Sequence, residues 1–326
     1  PCGTLFPYTT LFRSTGTGPE INVQYNGTSI PDGDASPGSG DGTDFGETNA
    51  AFGIVVHTFT VENTGGAPLS LTGTPLVDIT GSHAGDFTVT SPPASTVAGG
   101  GPTTFEITFD PADVGLREAQ ISIANDDSDE NPYNFAIQGT GTVTFSDVLP
   151  DHWAFDWVES LSYAGLTAGY PDGTYRPGNP VTRAEMAVFL LKGMNSGTYT
   201  PPDTDGSHPF SDIAGHWAEA WMEDLYDEGL TSGYPDGTYR PQNEVTRAEM
   251  AVFLLKSKHG AGYSPPSATG GVFSDVVGHW AEDWIEQLAD EGITGGYPDG
   301  TYRPNNPVNR AEMAVFLVRT FNLPME

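Results

Sequence analysis

One arginine recurs at the same place in three copies of a sequence pattern, and its position suits the binding of an anion. Arg183, Arg247 and Arg310 each stand in a Thr-Arg-Ala-Glu or Asn-Arg-Ala-Glu segment. This spacing is that of a capping box, which predicts a helix that starts at the arginine. A cation at this end of a helix costs up to about 1 kcal/mol. A bound carboxylate would offset that cost, because free amides and the guanidinium would both face it.

A second role for these arginines needs no ligand. Each could pair across the interface between copies with the aspartate of a Phe-Ser-Asp segment, and the two roles are compatible because an acid can orient the guanidinium until an anion arrives. The aspartates are Asp147, Asp212 and Asp275. A further set of arginines follows a tyrosine by six residues and either lines the same sites or stacks on that tyrosine. This set is Arg176, Arg240 and Arg303.

The elements that must position these arginines form a helix-turn-helix unit that occurs three times. The stretch GYPDGTYRPGNPVTRAEMAVFL begins at Gly169 and recurs, almost letter for letter, from Gly233 and Gly296. Each copy follows Phe-Ser-Asp and His-Trp-Ala, after which apolar residues at helical spacing predict a first helix with one packed face. All six tryptophans are expected on that face, in the core: Trp153, Trp157, Trp217, Trp221, Trp280 and Trp284.

The ends of the predicted helices follow from glycine. Each first helix is expected to end at Gly165, Gly229 or Gly292, because glycine adopts the left-handed conformation after a helix at little cost. A single copy is too small to bury the apolar faces of both its helices. We therefore expect the three copies to pack together.

Residues 19–141 show a different period. Phe105, Ile107 and Phe109 alternate with polar residues, and such alternation predicts strands with one buried face. About seven short strands in about 120 residues indicate an antiparallel β-sandwich. The segments HTFTVENTGGAPLSL from His57 and TFEITFDPADVG from Thr104 resemble the immunoglobulin-like repeats of the Hydin and choice-of-anchor families. That resemblance implies a spacer or adhesive module on an extracellular protein.

Two acidic clusters in this region have the oxygen ligands that calcium requires. One contains Asp32, Asp34, Asp41 and Asp44, and the other contains Asp126, Asp127, Asp129 and Glu130. Neither cluster has EF-hand spacing, so we interpret both as solvated turns and predict neither a metal site nor a cofactor. Asp126, Asp127 and Asp129 remain calcium candidates.

The three histidines that precede a tryptophan have no second ligand at metal spacing and are expected to cap or pack. They are His152, His216 and His279.

The three copies resemble S-layer homology domains. The resemblance rests on Phe-x-Asp, His-Trp-Ala, Gly-Tyr-x-Asp-Gly and Thr-Arg-Ala-Glu and covers residues 143 to about 322. It implies an all-α, pseudo-threefold trimer of repeats that holds a secreted protein to a bacterial envelope glycan, often a pyruvylated secondary cell-wall polysaccharide, in grooves between repeats. The glycan-binding set that it implies is Asp147, Trp153, Gly169, Arg183, Asp212, Trp217, Gly233, Arg247, Asp275, Trp280, Gly296 and Arg310.

The patterns together predict a multidomain chain. Residues 5–14 resemble a translated sequencing adapter, so residues 1–14 are excluded from the fold reasoning. The predicted order is an artefactual or disordered leader at 1–18, an immunoglobulin-like β-sandwich at 19–141, repeat 1 at 142–194, a linker at 195–207, repeat 2 at 208–258, a linker at 259–270 and repeat 3 at 271–326.

Charge and composition exclude several functions. The net charge is −31, from 43 acidic and 12 basic residues, which disfavours nucleic acid and anionic membranes as partners. No apolar run approaches the roughly 20 residues of a membrane span. Cys2, in the excluded leader, is the only cysteine, and no catalytic motif is present in the sequence. We therefore predict a protein that is not an enzyme, located extracellularly at the cell wall or S-layer.

Two functions fit this composition. The first is non-covalent anchoring of a secreted protein to a cell-wall polysaccharide or peptidoglycan-linked glycan by the three copies. The alternative is a subunit of an S-layer lattice or adhesive fibre that self-associates through its β-sandwich, with calcium as an optional cofactor.

Overall fold

The computed structural model describes residues 17–203 and 208–325. The chain divides into two compact units, with the boundary between Thr142 and Val143. The adapter-like segment at residues 1–14 lies outside the described residues. In the described part of the chain, no helix has the length and apolar character needed to cross a membrane.

The first unit is built from strands, because alternating apolar residues place one side of each strand in a shared core. Phe105, Ile107 and Phe109 are fully buried, whereas Glu106 and Thr108 between them are partly exposed. The strands are β1 (Ile21–Tyr25), β2 (Thr28–Ile30), β3 (Asp44–Asn49), β4 (Val55–Asn63), β5 (Leu69–Ser70), β6 (Asp78–Thr80), β7 (Phe87–Ser91), β8 (Thr96–Val97), β9 (Pro102–Phe109), β10 (Gly115–Ile123) and β11 (Tyr133–Thr142). A 3-10 turn spans Ala84–Asp86.

The strands form a five-stranded sheet, β2-β1-β4-β9-β7, a four-stranded sheet, β3-β11-β10-β6, and a two-stranded sheet, β5-β8. Phe59 of β4 pairs with Phe105 of β9, and Ile121 of β10 pairs with Phe135 of β11. These residues of both larger sheets share one apolar core. The expectation of a wholly antiparallel sandwich is wrong in one place, because β3 and β11 are parallel. The two strands are distant in sequence, so no hairpin constrains their direction.

The second unit is helical in its regular structure, as the change of sequence period predicts. In its described residues, 143–203 and 208–325, six helices occur as one short and one longer helix in each copy. They are α1 (Phe155–Tyr163), α2 (Arg183–Asn195), α3 (Glu219–Asp227), α4 (Arg247–His259), α5 (Glu282–Asp290) and α6 (Arg310–Phe321). The buried stripe of the longer helices is as expected, with Met186, Phe189 and Leu190 in α2 at most 5% exposed.

Local chemistry sets the ends of these helices. Gly165 has a φ of +75°, and the amide of Leu166 donates to the carbonyl of Leu161, which is the expected glycine-terminated end. Thr182, Thr246 and Asn309 each form a complete capping box with the glutamate three residues later. The threonine oxygen therefore serves the helix, and asparagine replaces it in copy 3 without loss of the box.

The three copies are joined in a cycle by main-chain hydrogen bonds. The amide of Val245 donates to Val181, that of Val308 donates to Val245, and that of Val181 donates to Val308, at 2.8 to 2.9 Å. Packing between helices follows the same cycle, with contacts of α2 with α3, α4 with α5 and α1 with α6. Each copy therefore contacts both others.

The first tryptophan of each copy is not in the core, contrary to the expectation from helical spacing. Trp153, Trp217 and Trp280 are 61%, 65% and 64% exposed. The physical reason is that α1 begins only at Phe155, so the tryptophan precedes the helix and the helical period does not determine its direction. Each indole ring instead packs beside the preceding histidine, with ring centroids 5.5 to 5.8 Å apart.

The capping boxes predict a difference between two substitutions at one position. We expect Thr246→Ala to lower the free energy of unfolding by about 1 kcal/mol, since the amide of Glu249 loses its acceptor. Thr246→Asn reproduces copy 3 and is the matched control, with no loss expected. Thermal unfolding followed by circular dichroism measures both, and equal losses would contradict a purely capping role.

Candidate functional site

The repeated arginine of each copy is buried in the next copy. Arg183 is 5% exposed; its Nε donates to the carbonyl of Tyr239 at 2.8 Å, and its Nη1 donates to Glu249 at 3.3 Å. In return, the hydroxyl of Tyr239 donates to the carbonyl of Arg183 at 2.9 Å. Burial raises the pKa of Tyr239 above its usual range, so this hydroxyl stays a donor. Arg247 with Tyr302 and Glu312, and Arg310 with Tyr175 and Glu185, repeat the arrangement.

The helix amides that were expected to face an anion already have partners. The amide of Arg183 donates to the carbonyl of Asn243, and that of Ala184 donates to the carbonyl of Pro241. The amides of Thr182 and Glu185 are bonded within the capping box. All four amides left open at the start of a helix are therefore satisfied by protein, and the expectation of an anion on free amides is wrong. The carbonyl of Tyr239 and the carboxylate of Glu249 also stabilise the positive charge of Arg183 at the start of the helix.

The expected pairing of the arginines with Asp147, Asp212 and Asp275 is also wrong. Asp147 accepts from the amides of Tyr175 and Arg176, at 2.7 and 2.8 Å. The other two aspartates hold the equivalent amides of their own copies. Each aspartate thus fixes the turn that carries the buried tyrosine, and the acid opposite the arginine is the capping-box glutamate of the next copy.

The second set of arginines stacks on tyrosine, one of the two roles expected for it. The guanidinium of Arg240 lies 3.9 Å from the ring centroid of Tyr234 and contacts Asp236 at 2.9 Å. Arg183 of the preceding copy lies 4.9 Å from the same ring. Arg176 and Arg303 make the same contacts with Tyr170 and Tyr297. Each of these tyrosines therefore lies beside two cations from different copies.

The glycine of each Gly-Tyr pair has a packing role. Gly296 has a φ of +65°, and a Cβ there would lie 2.3 Å from Cε1 of Phe273 and 2.7 Å from the carbonyl of Thr301. Gly169 and Gly233 are equally constrained by Phe145 and Phe210. Only glycine fits these positions without displacement of the aromatic ring.

Two cavities bring together expected site residues from all three copies. The Arg183 groove has a volume of about 380 Å³ and is lined by Arg183 of copy 1, Gly233 of copy 2 and Trp280 of copy 3. The Arg247 groove, of about 180 Å³, is lined by Arg247, Gly296 and Trp153. A third set of equivalent contacts surrounds Arg310, whose guanidinium lies beside the rings of Tyr170, Tyr175 and Phe189.

The sequence reasoning missed a second cation in these grooves. Lys256 lines the Arg183 groove and Arg319 lines the Arg247 groove; Lys192 is the equivalent residue of copy 1. Lys192 donates to the carbonyl of Gly165, and burial lowers its pKa. A signal was present, because nine of the 12 basic residues occupy three equivalent positions: Arg176, Arg240, Arg303, Arg183, Arg247, Arg310, Lys192, Lys256 and Arg319.

The calcium candidates do not converge on one point. Asp126 accepts from the amide of Ser70, and Asp127 accepts from the amide of Ile21, while Asp129 is exposed. Burial and the nearby Asp127 raise the pKa of Glu130 to about 7. In residues 17–203 and 208–325, three metal-ligating side chains converge only at His208, in a different part of the chain. The interpretation of the acidic cluster at residues 126–130 as a turn without a metal site stays a prediction.

Comparison with known families agrees with the motifs. Residues 144–187, 209–251 and 272–314 match the S-layer homology domain, and residues 40–140 match the HYDIN/CFA65/VesB-like, Ig-like domain. The chain carries three S-layer homology domains. They follow an Ig-like domain, as predicted, and their presence assigns the protein to the cell surface, in association with the cell wall.

Curated relatives share the same region at moderate identity. Cell surface glycoprotein 1 of Acetivibrio thermocellus is 41% identical over 46% of this chain and 7% of its own length. The cellulosome-anchoring protein of the same organism is 34% identical over 48% of this chain and 36% of its own. An S-layer protein of Bacillus licheniformis is 32% identical over 54% and 20%. The chain thus spans between 7% and 36% of the length of these three relatives.

The buried arginine predicts a large loss of stability on truncation. Arg247→Ala removes the cation beside Glu312 and the donor to the carbonyl of Tyr302, and we expect a loss of about 3 to 5 kcal/mol. Arg303→Ala is the matched control in the next copy, since its exposed pair with Asp299 is worth at most about 1 kcal/mol. Thermal and urea unfolding measure both losses. Similar values for the two variants would show that the buried pair does not join the copies.

The packed glycine predicts a second contrast. Gly296→Ala and Gly300→Ala both place a side chain at positive φ, which costs roughly 1 to 2 kcal/mol. Only the first also meets the ring of Phe273, whereas nothing lies within 4 Å of a Cβ at Gly300. We expect Gly296→Ala to lose about 1 to 3 kcal/mol more, measured by thermal unfolding. Equal losses would mean that the Phe273 contact relaxes freely.

Proposed function

We propose that the three S-layer homology domains anchor this protein non-covalently to an anionic envelope glycan, a pyruvylated secondary cell-wall polysaccharide. The cyclic contacts support a pseudo-threefold arrangement in which each groove lies between copies. The observation that carries the proposal is that an exposed tryptophan of one copy lines the same cavity as a buried arginine of another. S-layer homology domains and relatives described as S-layer and anchoring proteins support cell-surface anchoring and a non-enzymatic protein.

The chemistry of the grooves suits a sugar that bears a carboxylate. The indole of Trp280, 64% exposed, offers an apolar surface for a sugar ring at the edge of the Arg183 groove. Arg183 uses Nε and Nη1 for protein partners, and Nη2 has no hydrogen-bond partner among the described residues. Lys256 adds a second cation in the same groove. A ketal carboxylate that approached Nη2 and Lys256 would gain charge-assisted hydrogen bonds.

Local charge explains how an acidic chain can attract an anion. The net charge of −31 repels polyanions at long range, but this repulsion falls off over about 8 Å at physiological salt. Most of the cations of the chain are gathered at the repeated positions of the second unit. We therefore place anion recognition at the grooves, with Trp217 and Arg310 completing a third groove by equivalence.

The exposed tryptophans give the direct test of binding. We expect the full chain to co-sediment with purified cell-wall sacculi, and the triple variant Trp153→Ala, Trp217→Ala, Trp280→Ala to bind at least about tenfold more weakly. The melting temperature should be unchanged, since all three rings are mostly exposed. Tyr163→Ala is the control, because this ring is 68% exposed and lines neither groove.

The identity of the anion has its own test. Mild acid treatment that removes pyruvate ketals from the sacculi should abolish binding of the unchanged chain, whereas mock-treated sacculi should retain it. Binding that survives ketal removal but is lost in the tryptophan variant would support the grooves as the binding site. It would contradict the ketal carboxylate as the group that they bind. Binding unaffected by both changes would contradict the proposed site.

A lattice or fibre subunit is the alternative, and the match to S-layer proteins favours it. In that case the chain would self-associate through its β-sandwich. Light scattering with and without calcium chloride tests this, and a monomer under both conditions would contradict it.

A further inference from the structure

Three metal-ligating side chains meet in the second S-layer homology copy. Nδ1 of His208 lies 3.0 Å from Oε1 of Glu219 and 3.0 Å from Oε1 of Glu223, and the three ligand atoms all lie within 4.8 Å of one another. From this geometry we infer a binding site for a divalent transition-metal ion such as Zn²⁺. It is separate from the glycan grooves, since none of its residues lines either of them.

The two distances from the histidine nitrogen to the carboxylate oxygens fit the coordination of zinc. Zinc binds histidine nitrogen and carboxylate oxygen at about 2.0 to 2.2 Å in a tetrahedron, which places neighbouring ligand atoms about 3.3 Å apart. One nitrogen and two carboxylate oxygens leave a fourth position for water, as in the three-ligand sites that zinc commonly occupies. Calcium is a poor fit, because it requires six to eight oxygen ligands.

The surrounding structure prepares these ligands. Glu219 and Glu223 are one turn apart on α3, so their side chains lie on the same face of the helix. The second oxygen of Glu219 accepts from the amide of Gly215 at 2.6 Å, which orients the carboxylate as outer-sphere hydrogen bonds do in metal sites. The glutamates are only 15% and 13% exposed. A cavity of about 600 Å³ beside His208 and Glu223 is also lined by Asp203, Asp224 and Asp227, so the local charge favours a cation.

The three-ligand set is specific to copy 2, which separates it from the common architecture of the repeats. The residues equivalent to His208, two positions before the Phe-Ser-Asp phenylalanine, are Val143 and Gly271. The glutamates equivalent to Glu223 accept backbone amides of the segment that enters their copy, Glu159 from Thr144 and Glu286 from Thr269. In copy 2, among the described residues, the side chain of His208 contacts Glu223. A bound ion would hold His208 to α3.

The test is isothermal titration calorimetry of the full chain, freed of metal by chelation, with zinc chloride in excess calcium chloride to occupy diffuse carboxylate sites. We expect one tight zinc per chain and a higher melting temperature with zinc. His208→Ala and Glu223→Gln should each weaken zinc binding at least about tenfold. His259→Ala is the matched control, because His259 contacts a single carboxylate, Glu291, which also pairs with Lys258, and zinc affinity should not change.

Three results would overturn the inference. Absence of saturable zinc binding would show that His208 forms only an ion pair with the two glutamates. Binding that persists in His208→Ala would place the zinc elsewhere, and an equal loss in His259→Ala would indicate diffuse binding by an acidic surface. Circular dichroism of each metal-free variant separates loss of the ligand from loss of the fold. Sacculus binding is measured in parallel, and its outcome does not affect this inference.

Discussion

The second unit depends on the burial of one arginine per copy in the next copy. The guanidinium of Arg183 is taken out of water and receives in exchange a carboxylate, a main-chain carbonyl and two tyrosine rings, all from copy 2. An isolated copy would have to leave this charge unpaired or solvated, since its partners belong to another copy. A buried ion pair stabilises little against an apolar replacement, but the loss of one partner is costly. The arrangement therefore specifies which surfaces of the copies meet.

The same contacts create the grooves. The arginine brings the Gly-Tyr turn and the capping glutamate of the next copy against the start of its own helix, and the exposed tryptophan comes from the remaining copy. In the proposed function, structural and binding roles meet in one side chain, because Nε and Nη1 bond the next copy and Nη2 would bond the ligand. A groove of this kind requires the assembled unit, and it cannot form within one copy.

Near-identical copies differ where their environments differ. Copy 3 has Asn309 in place of threonine and keeps its capping box, since either side chain can accept the N3 amide. It also has Arg319 where the other copies have lysine, and this changes the second cation of one groove. Copy 2 alone has a histidine before its Phe-Ser-Asp segment. In the proposed function, such differences at the edges of the repeat would give the grooves unequal affinities for the glycan.

Local rules were sufficient for most of the fold. The capping boxes, the glycine-terminated helices and the main strands depend on residues close together in sequence, so the spacing of Thr182 and Glu185, or of Phe105 and Ile107, predicts them directly. The repeat itself indicated that the copies pack together, and the S-layer homology motifs indicated which residues to consider for binding. Each of these inferences rests on a contact of short range or on a pattern repeated three times.

Tertiary structure decided which side chains and main-chain groups contact one another. The acid opposite Arg183 is Glu249, 66 residues away, and no local spacing distinguishes it from Asp212. The helix amides are used by carbonyls of the next copy, which depends on how two copies meet. Trp153 is exposed because its helix starts two residues later, a boundary that helical spacing does not resolve. The proximity of His208 to Glu219 and Glu223 of α3 likewise depends on long-range packing, which local spacing does not predict.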